Sequence, residues 1–70
     1  MQRTLRSIRE ENKKTVAEVA KVLGTSETAV YLYESGKRKI SLDQVLALSQ
    51  FYDDSAEEII KAQLNSRRGQ

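Results

Sequence analysis

Two short runs of cations, Lys13-Lys14 and Lys37-Arg38-Lys39, bracket the segment TVAEVAKVLGTSETAVYLYE, residues 15–34. Ammonium and guanidinium groups on both sides of one segment suit the binding of phosphates, because each donates charge-assisted hydrogen bonds to anionic oxygens. Bond-breaking chemistry has far less to work with. The 70 residues include no histidine and no cysteine. The serines and threonines therefore lack the usual base to make a nucleophile, and the commonest metal ligands are missing. Asp53-Asp54 with Glu57-Glu58 superficially resembles a cation site, but the spacing lacks the glycine and alternating ligands of a calcium loop. Acids at a helix start are favoured by the helix dipole in any case. No glycine-rich loop is present to cradle a phosphate. The expectation is a binding protein with no catalytic residue, no metal and no cofactor.

Charge follows the same division. The net charge is only +2, but residues 1–39 hold nine Lys/Arg against five acids, whereas residues 40–70 hold three against five. A phosphate-binding face in the first half requires such an asymmetry, although ordinary surface charge can also scatter unevenly. Apolar residues make up 39% and charged residues 31% of the chain, a balance of soluble globular domains rather than disordered tails. No apolar run approaches the roughly 20 residues of a membrane span, and MQRTLRSIRE is unlike a signal peptide. These features predict a soluble cytoplasmic protein without a membrane partner.

The elements that must position these residues are helices. Proline is absent, the glycines fall only at 24, 36 and 69, and no useful strand-like alternation occurs. Helix one is expected over residues 3–12, burying Leu5 and Ile8 and pairing Arg6 with Glu10 one turn later. Thr15-x-x-Glu18, Ser41-x-x-Gln44 and Ser55-x-x-Glu58 are capping boxes that start helices two, four and five. Helix two buries Val19, Ala20, Val22 and Leu23 and stops at Gly24. Helix three runs from Ser26 to about Ser35 and buries Val30 and Tyr33. Helix four buries Leu42, Val45, Leu46 and Leu48, and helix five buries Ile59 or Ile60. The reading is an all-α, compact five-helix domain over residues 1–64, with residues 65–70 as a flexible C-terminal tail.

Ala20, Gly24 and Val30 carry the strongest spacing. A helix-turn-helix needs a small residue where its helices cross, a residue tolerant of positive φ in the turn, and an apolar seal in the second helix. The surrounding LRSIREENKKTVAEVAKVLGTSETAVYLYESGKRK, followed by SLDQVLALSQFYDDSAEEII, resembles the lambda-repressor-like (XRE/Cro-type) DNA-binding domains over about residues 4–62. The matching marks are Leu5, Ile8, Arg9, Ala20, Leu23-Gly24-Thr25-Ser26, Val30, Glu34-x-Gly36-x-Arg38, Leu42, Val45 and Leu48. The chain departs from the family at Val16, where glutamine is common, and at Ile40, where proline is common. It also carries Asp54 where an apolar residue usually precedes the helix-five cap.

The resemblance implies a transcriptional regulator, repressor-like and of prokaryotic or phage type, whose third helix lies in the major groove of double-stranded DNA. Outward positions on that helix are Ser26, Glu27, Thr28, Tyr31 and Leu32. By family position Glu27, Thr28, Tyr31 and Leu32 meet base edges, and Ser26 caps the helix or touches a phosphate. Lys13, Lys14, Lys37, Arg38 and Lys39 are the expected phosphate contacts. Arg9 and Glu34 match a structural salt bridge tying helix one to the end of helix three. Ile59 and Ile60 cannot both enter one small core, so Ile60 with Leu64 leaves an outer stripe for a homodimer. A protein-interaction module of the same fold, an antirepressor or a subunit with a regulatory protein partner, is the alternative. Glu27, Val16 and Leu32 favour it. Sequence-neutral nucleic-acid binding fits less well with so modest a net charge.

Overall fold

The computed structural model describes residues 2–68, the side chain of Arg68 excepted. Five helices follow in order: α1 Leu5–Glu11, α2 Val16–Leu23, α3 Glu27–Glu34, α4 Leu42–Tyr52 and α5 Ala56–Arg68. They fill a volume of 26 × 24 × 23 Å. No helix among the described residues is long and apolar enough to cross a membrane.

Hydroxyl caps set where the helices begin. Thr15 Oγ1 accepts from Glu18 N, and the Glu18 carboxylate accepts from Thr15 N. That bond holds the exposed Glu18 carboxyl below the usual carboxylate range. Ser41 and Gln44 repeat the exchange at α4. Thr4 caps α1 with Ser7 as its reciprocal partner, so α1 starts at Leu5 rather than residue 3. At Ser55 only half of the expected box forms: Ser55 Oγ accepts from Glu58 N, while Ser55 N donates to Asp54 Oδ1. Each such cap stabilises its helix by about 1 kcal/mol.

Gly24 ends α2 in the left-handed conformation, φ 66°, where a side chain would cost roughly 1–2 kcal/mol. Thr25 N then donates to Ala20 O at 2.9 Å. This tight turn lets α2 and α3 cross as a helix-turn-helix, with Ala20 and Val30 buried between them.

The core comprises Leu5, Ile8, Val16, Val19, Ala20, Ala29, Val30, Tyr33, Ile40, Val45, Leu48, Tyr52, Ile59 and Ala62. Ile8, Val30 and Ile59 are fully enclosed, each worth about 1.5–3 kcal/mol of apolar burial. Ile59 turns in and Ile60 out. Two expectations fail on α4, because Leu42 is 70% and Leu46 48% exposed. The inward stripe of α4 is Val45, Leu48 and Tyr52, so Leu42 and Leu46 fall on a flank that no other element covers. Val22 and Leu23 are only half-buried.

The expected tail at 65–70 is also corrected within the described residues. α5 continues to Arg68, and tertiary hydrogen bonds hold its last turns. Asn65 Nδ2 donates to Arg3 O at 2.9 Å, and Leu5 N donates to Ser66 Oγ at 3.0 Å. Gly69 and Gln70 lie outside the described residues. Two of the four acids read as a superficial cation site, Asp54 and Glu58, face Arg3 at 2.8 and 3.4 Å, and the same guanidinium meets Glu11 at 3.0 Å. Asp54, unusual at its position, thereby holds Arg3 and also accepts from Ser55 N.

Candidate nucleic-acid interface

The outward face of α3 presents Glu27, Thr28 and Tyr31, all exposed, and Leu32, half-buried. At 100° per residue they form one face, opposite the buried Ala29, Val30 and Tyr33. Ser26 Oγ accepts from Ala29 N at 3.1 Å, so this side chain caps the helix. Glu27 sits in the first turn and has no ion-pair partner among the described residues.

Beyond α3 the chain turns at Gly36, φ 81°, and Lys37 N and Arg38 N both return to Leu32 O, at 3.0 and 3.1 Å. Lys37, Arg38 and Lys39 are exposed and, among the described residues, outside every ion pair. Nothing among those residues neutralises these cations before a ligand arrives. On the other side, Lys13 is exposed at positive φ, 55°. Lys14 behaves differently: its Nζ lies over the Phe51 ring, 5.1 Å from the centroid. A cation–π contact of this kind holds an ammonium by about 0.5–1 kcal/mol at an accessible site, so Lys14 is directed towards the end of α4.

An open groove of about 700 Å³ runs between α1, the start of α2 and the end of α3. Its lining includes Arg6, Val16, Tyr31, Leu32, Glu34 and Lys37. Sequence reasoning assigned Arg6 only to Glu10, which it does meet at 3.1 Å. The groove adds a position beside Lys37 that helical periodicity alone does not reveal. Val16 is buried at this edge, making an apolar wall where the family commonly has a glutamine.

In the wall of the groove Arg9 Nε lies 2.7 Å from Glu34 Oε2, and Arg9 Nη1 donates to Lys14 O at 3.1 Å. The Glu34 carboxylate, against the cost of burial, keeps the Arg9 guanidinium above its ordinary range. This pair joins α1 to the end of α3 and fixes the turn entering α2.

A second surface lies at the α4–α5 packing. α4 meets the α2–α3 side through Phe51, beneath Lys14, and through Gln44, whose Nε2 donates to Tyr33 Oη. Leu42 and Leu46 therefore occupy the opposite flank. α5 faces the N-terminal segment through Glu58 and Asn65, leaving Ile60 and Leu64, 41% and 46% exposed, on its other flank. Ile40 N donates to Gln63 Oε1, which brings the start of α4 beside Leu64. Leu42 and Leu46 on α4 and Ile60 and Leu64 on α5 are thus exposed apolar side chains on two helices that pack together.

Five short helices, a glycine-turned α2–α3 pair and an exposed α3 face with exposed cations beside it define a helix-turn-helix domain. The chain matches the helix-turn-helix family over residues 5–59 and belongs to it, in its XRE-type form. This is a family of helix-turn-helix domains and not of enzymes. The chain is also 36% identical over 56 residues to a Thermococcus kodakarensis protein named "Putative HTH-type transcriptional regulatory protein"; the match covers 80% of this chain and 18% of that protein. The chain thus spans under a fifth of that relative's length. No solved structure matches it.

Proposed function

We propose that this chain is a sequence-specific DNA-binding transcriptional regulator, repressor-like and of prokaryotic or phage type, which reads the major groove with α3 as a homodimer in the cytoplasm. The observation that carries this reading is the Lys37-Arg38-Lys39 loop: three exposed cations, unpaired among the described residues, directly after an exposed helical face. Phosphates held there would set the register of α3, and base edges would meet Glu27, Thr28, Tyr31 and Leu32. Glu27 can accept from cytosine N4, and the Thr28 methyl or Leu32 can pack on a thymine methyl. Lys13, and Lys14 once it leaves Phe51, would hold phosphates on the other side, with Ser26 at the helix start. Ile60 and Leu64, with Leu42 and Leu46, would form the two-fold contact.

Selection from a randomised duplex library at near-physiological salt tests this directly. The expected result is an enriched two-fold-symmetric motif with half-sites about 10 bp apart or less. Lys37, Arg38 and Lys39 replaced together by Ala should weaken binding and flatten its salt dependence by about 0.9 for each phosphate no longer neutralised. No enrichment, or full affinity in the triple variant, would sink the reading. Two observations favour the alternative of a protein-binding module: Glu27 is a carboxylate on the α3 face with no ion-pair partner among the described residues, and Lys14 rests on Phe51. Under that alternative the library yields nothing, and a regulatory protein partner occupies the α3 face.

A further inference from the structure

Both ends of the Lys37–Lys39 loop rest on the same two turns of α5. At one end is Gly36. A Cβ there would lie 2.7 Å from both Ser66 O and Arg67 Cα, so only glycine permits the approach, and its positive φ reinforces the choice. At the other end is Ile40, whose N–H donates to Gln63 Oε1 at 2.5 Å in a buried setting. Gln63 is itself only 5% exposed. A buried amide facing a core is costly unless it is satisfied, and here it serves a backbone donor on another element. The residue at 40 is what makes this possible: proline, common at this position in the family, has no N–H to give. α5 in turn is fixed by Leu5 N bonding to Ser66 Oγ, with Ser66 Oγ donating to Ala62 O.

We infer that Gln63 is a positioning residue for DNA binding: through Ile40, and together with the Gly36 contact, it sets the geometry in which Lys37, Arg38 and Lys39 meet phosphates. This rests on the DNA-binding reading above and deepens it. Gln63 touches no DNA. It removes one of the two freedoms of a short cationic loop, so the three charges are presented together. It lies between Ile60 and Leu64 along α5, so the helix that carries the proposed dimer contact also carries the loop.

The test compares wild type, the K37A/R38A/K39A variant, Gln63→Leu, and Gln63→Leu combined with Ile40→Pro, all on the duplex selected by wild type, with log affinity followed against log salt. Wild-type binding that the triple variant loses establishes the DNA reading independently of Gln63. Gln63→Leu orphans the Ile40 N–H. It is expected to weaken binding about tenfold and to reduce the salt slope by about 1 to 2, as cations disengage from phosphate, while the selected motif stays the same. Adding Ile40→Pro removes the orphaned donor without restoring the tether, so the slope should stay reduced; a slope restored to the wild-type value would assign the effect to the orphaned donor and overturn the inference. A folded Gln63→Leu protein with wild-type affinity and slope overturns the inference. If that variant does not fold, amide exchange in the wild type decides. Protection of the Ile40 amide equal to that of the α5 core upholds the strap, and exchange at the rate of an open loop overturns it. Failure of wild type to bind any duplex defeats the functional reading itself, and the role of Gln63 with it.

Discussion

At Arg9 the guanidinium has three acceptors in reach, both Glu34 oxygens and Lys14 O, and its side chain is 13% exposed against 9% for Glu34. Replacing it by Ala strands a poorly solvated carboxylate. The expected cost is about 3–5 kcal/mol in a urea titration; a loss under about 1 kcal/mol would place the pair with ordinary surface contacts. Tyr52, buried close to this pair, gives a pH signature. Burial first, then the Glu34 charge, pushes its phenol up to about 12. The unfolded chain ionises near pH 10, whereas the folded one stays neutral, so this contribution is complete below about pH 10 and declines through pH 12, by about 1.4 kcal/mol per unit in that window. Urea midpoints at pH 9 and 11 should diverge more for wild type than for Tyr52→Phe, which keeps the other tyrosines and the lysines. Equal divergence would remove Tyr52 as the cause.

The elements differ in how plainly the sequence announces them, and the reasons are local. Thr15 with Glu18 and Ser41 with Gln44 are caps whose partners lie three residues on, so spacing alone exposes them. Gly24 is legible for the same reason: a left-handed helix end needs no tertiary partner. Thr4 escapes notice as a cap because its reciprocal partner is Ser7, not Glu or Gln. The end of α5 misleads because NSRR has a poor intrinsic helical signal, and what holds it comes from Arg3 and Leu5, over sixty residues away in sequence. Gln63 gives no signal, since its partner is a backbone N–H on another element. Leu42 and Leu46 mislead because hydrophobicity marks what can be buried, not which flank has a neighbour. Ending the chain after Leu64 should therefore do more than trim a tail. It removes the Leu5 and Arg3 partners and the Gly36 contact, and should lower stability by about 2 kcal/mol or more at roughly 1 kcal/mol per hydrogen bond. Unchanged chemical denaturation would show α5 to be expendable beyond Leu64.

On the scale of the whole molecule, most acids sit in ion pairs, and the loop cations have none among the described residues. Glu10, Glu11, Glu34, Asp54, Glu57 and Glu58 all sit in ion pairs. A net charge of +2 thus understates what a phosphate backbone would meet at Lys37–Lys39. The opposite character gathers at Leu42, Leu46, Ile60 and Leu64. Glutamate at both Leu46 and Ile60 should leave the fold intact, since neither is buried, and should convert a dimer to a species of 8.0 kDa in sedimentation equilibrium. A wild type that is already monomeric at micromolar concentration would defeat the two-fold reading. The sequence offers Ile60 and Leu64 for this surface, and only the packing of α4 beside α5 adds the two leucines.

The bonds from Arg3 O to Asn65 Nδ2 and from Leu5 N to Ser66 Oγ have a consequence for architecture. They bring the point where the domain begins and the point where it closes to within a hydrogen bond of each other. A unit whose entrance and exit coincide can be spliced into a loop of a larger host without prising that host apart. It can equally be re-cut elsewhere, its old ends joined by a short linker, and keep its topology. In mechanical terms the domain is a cartridge, and its socket lies at the seam between the start of α1 and the end of α5.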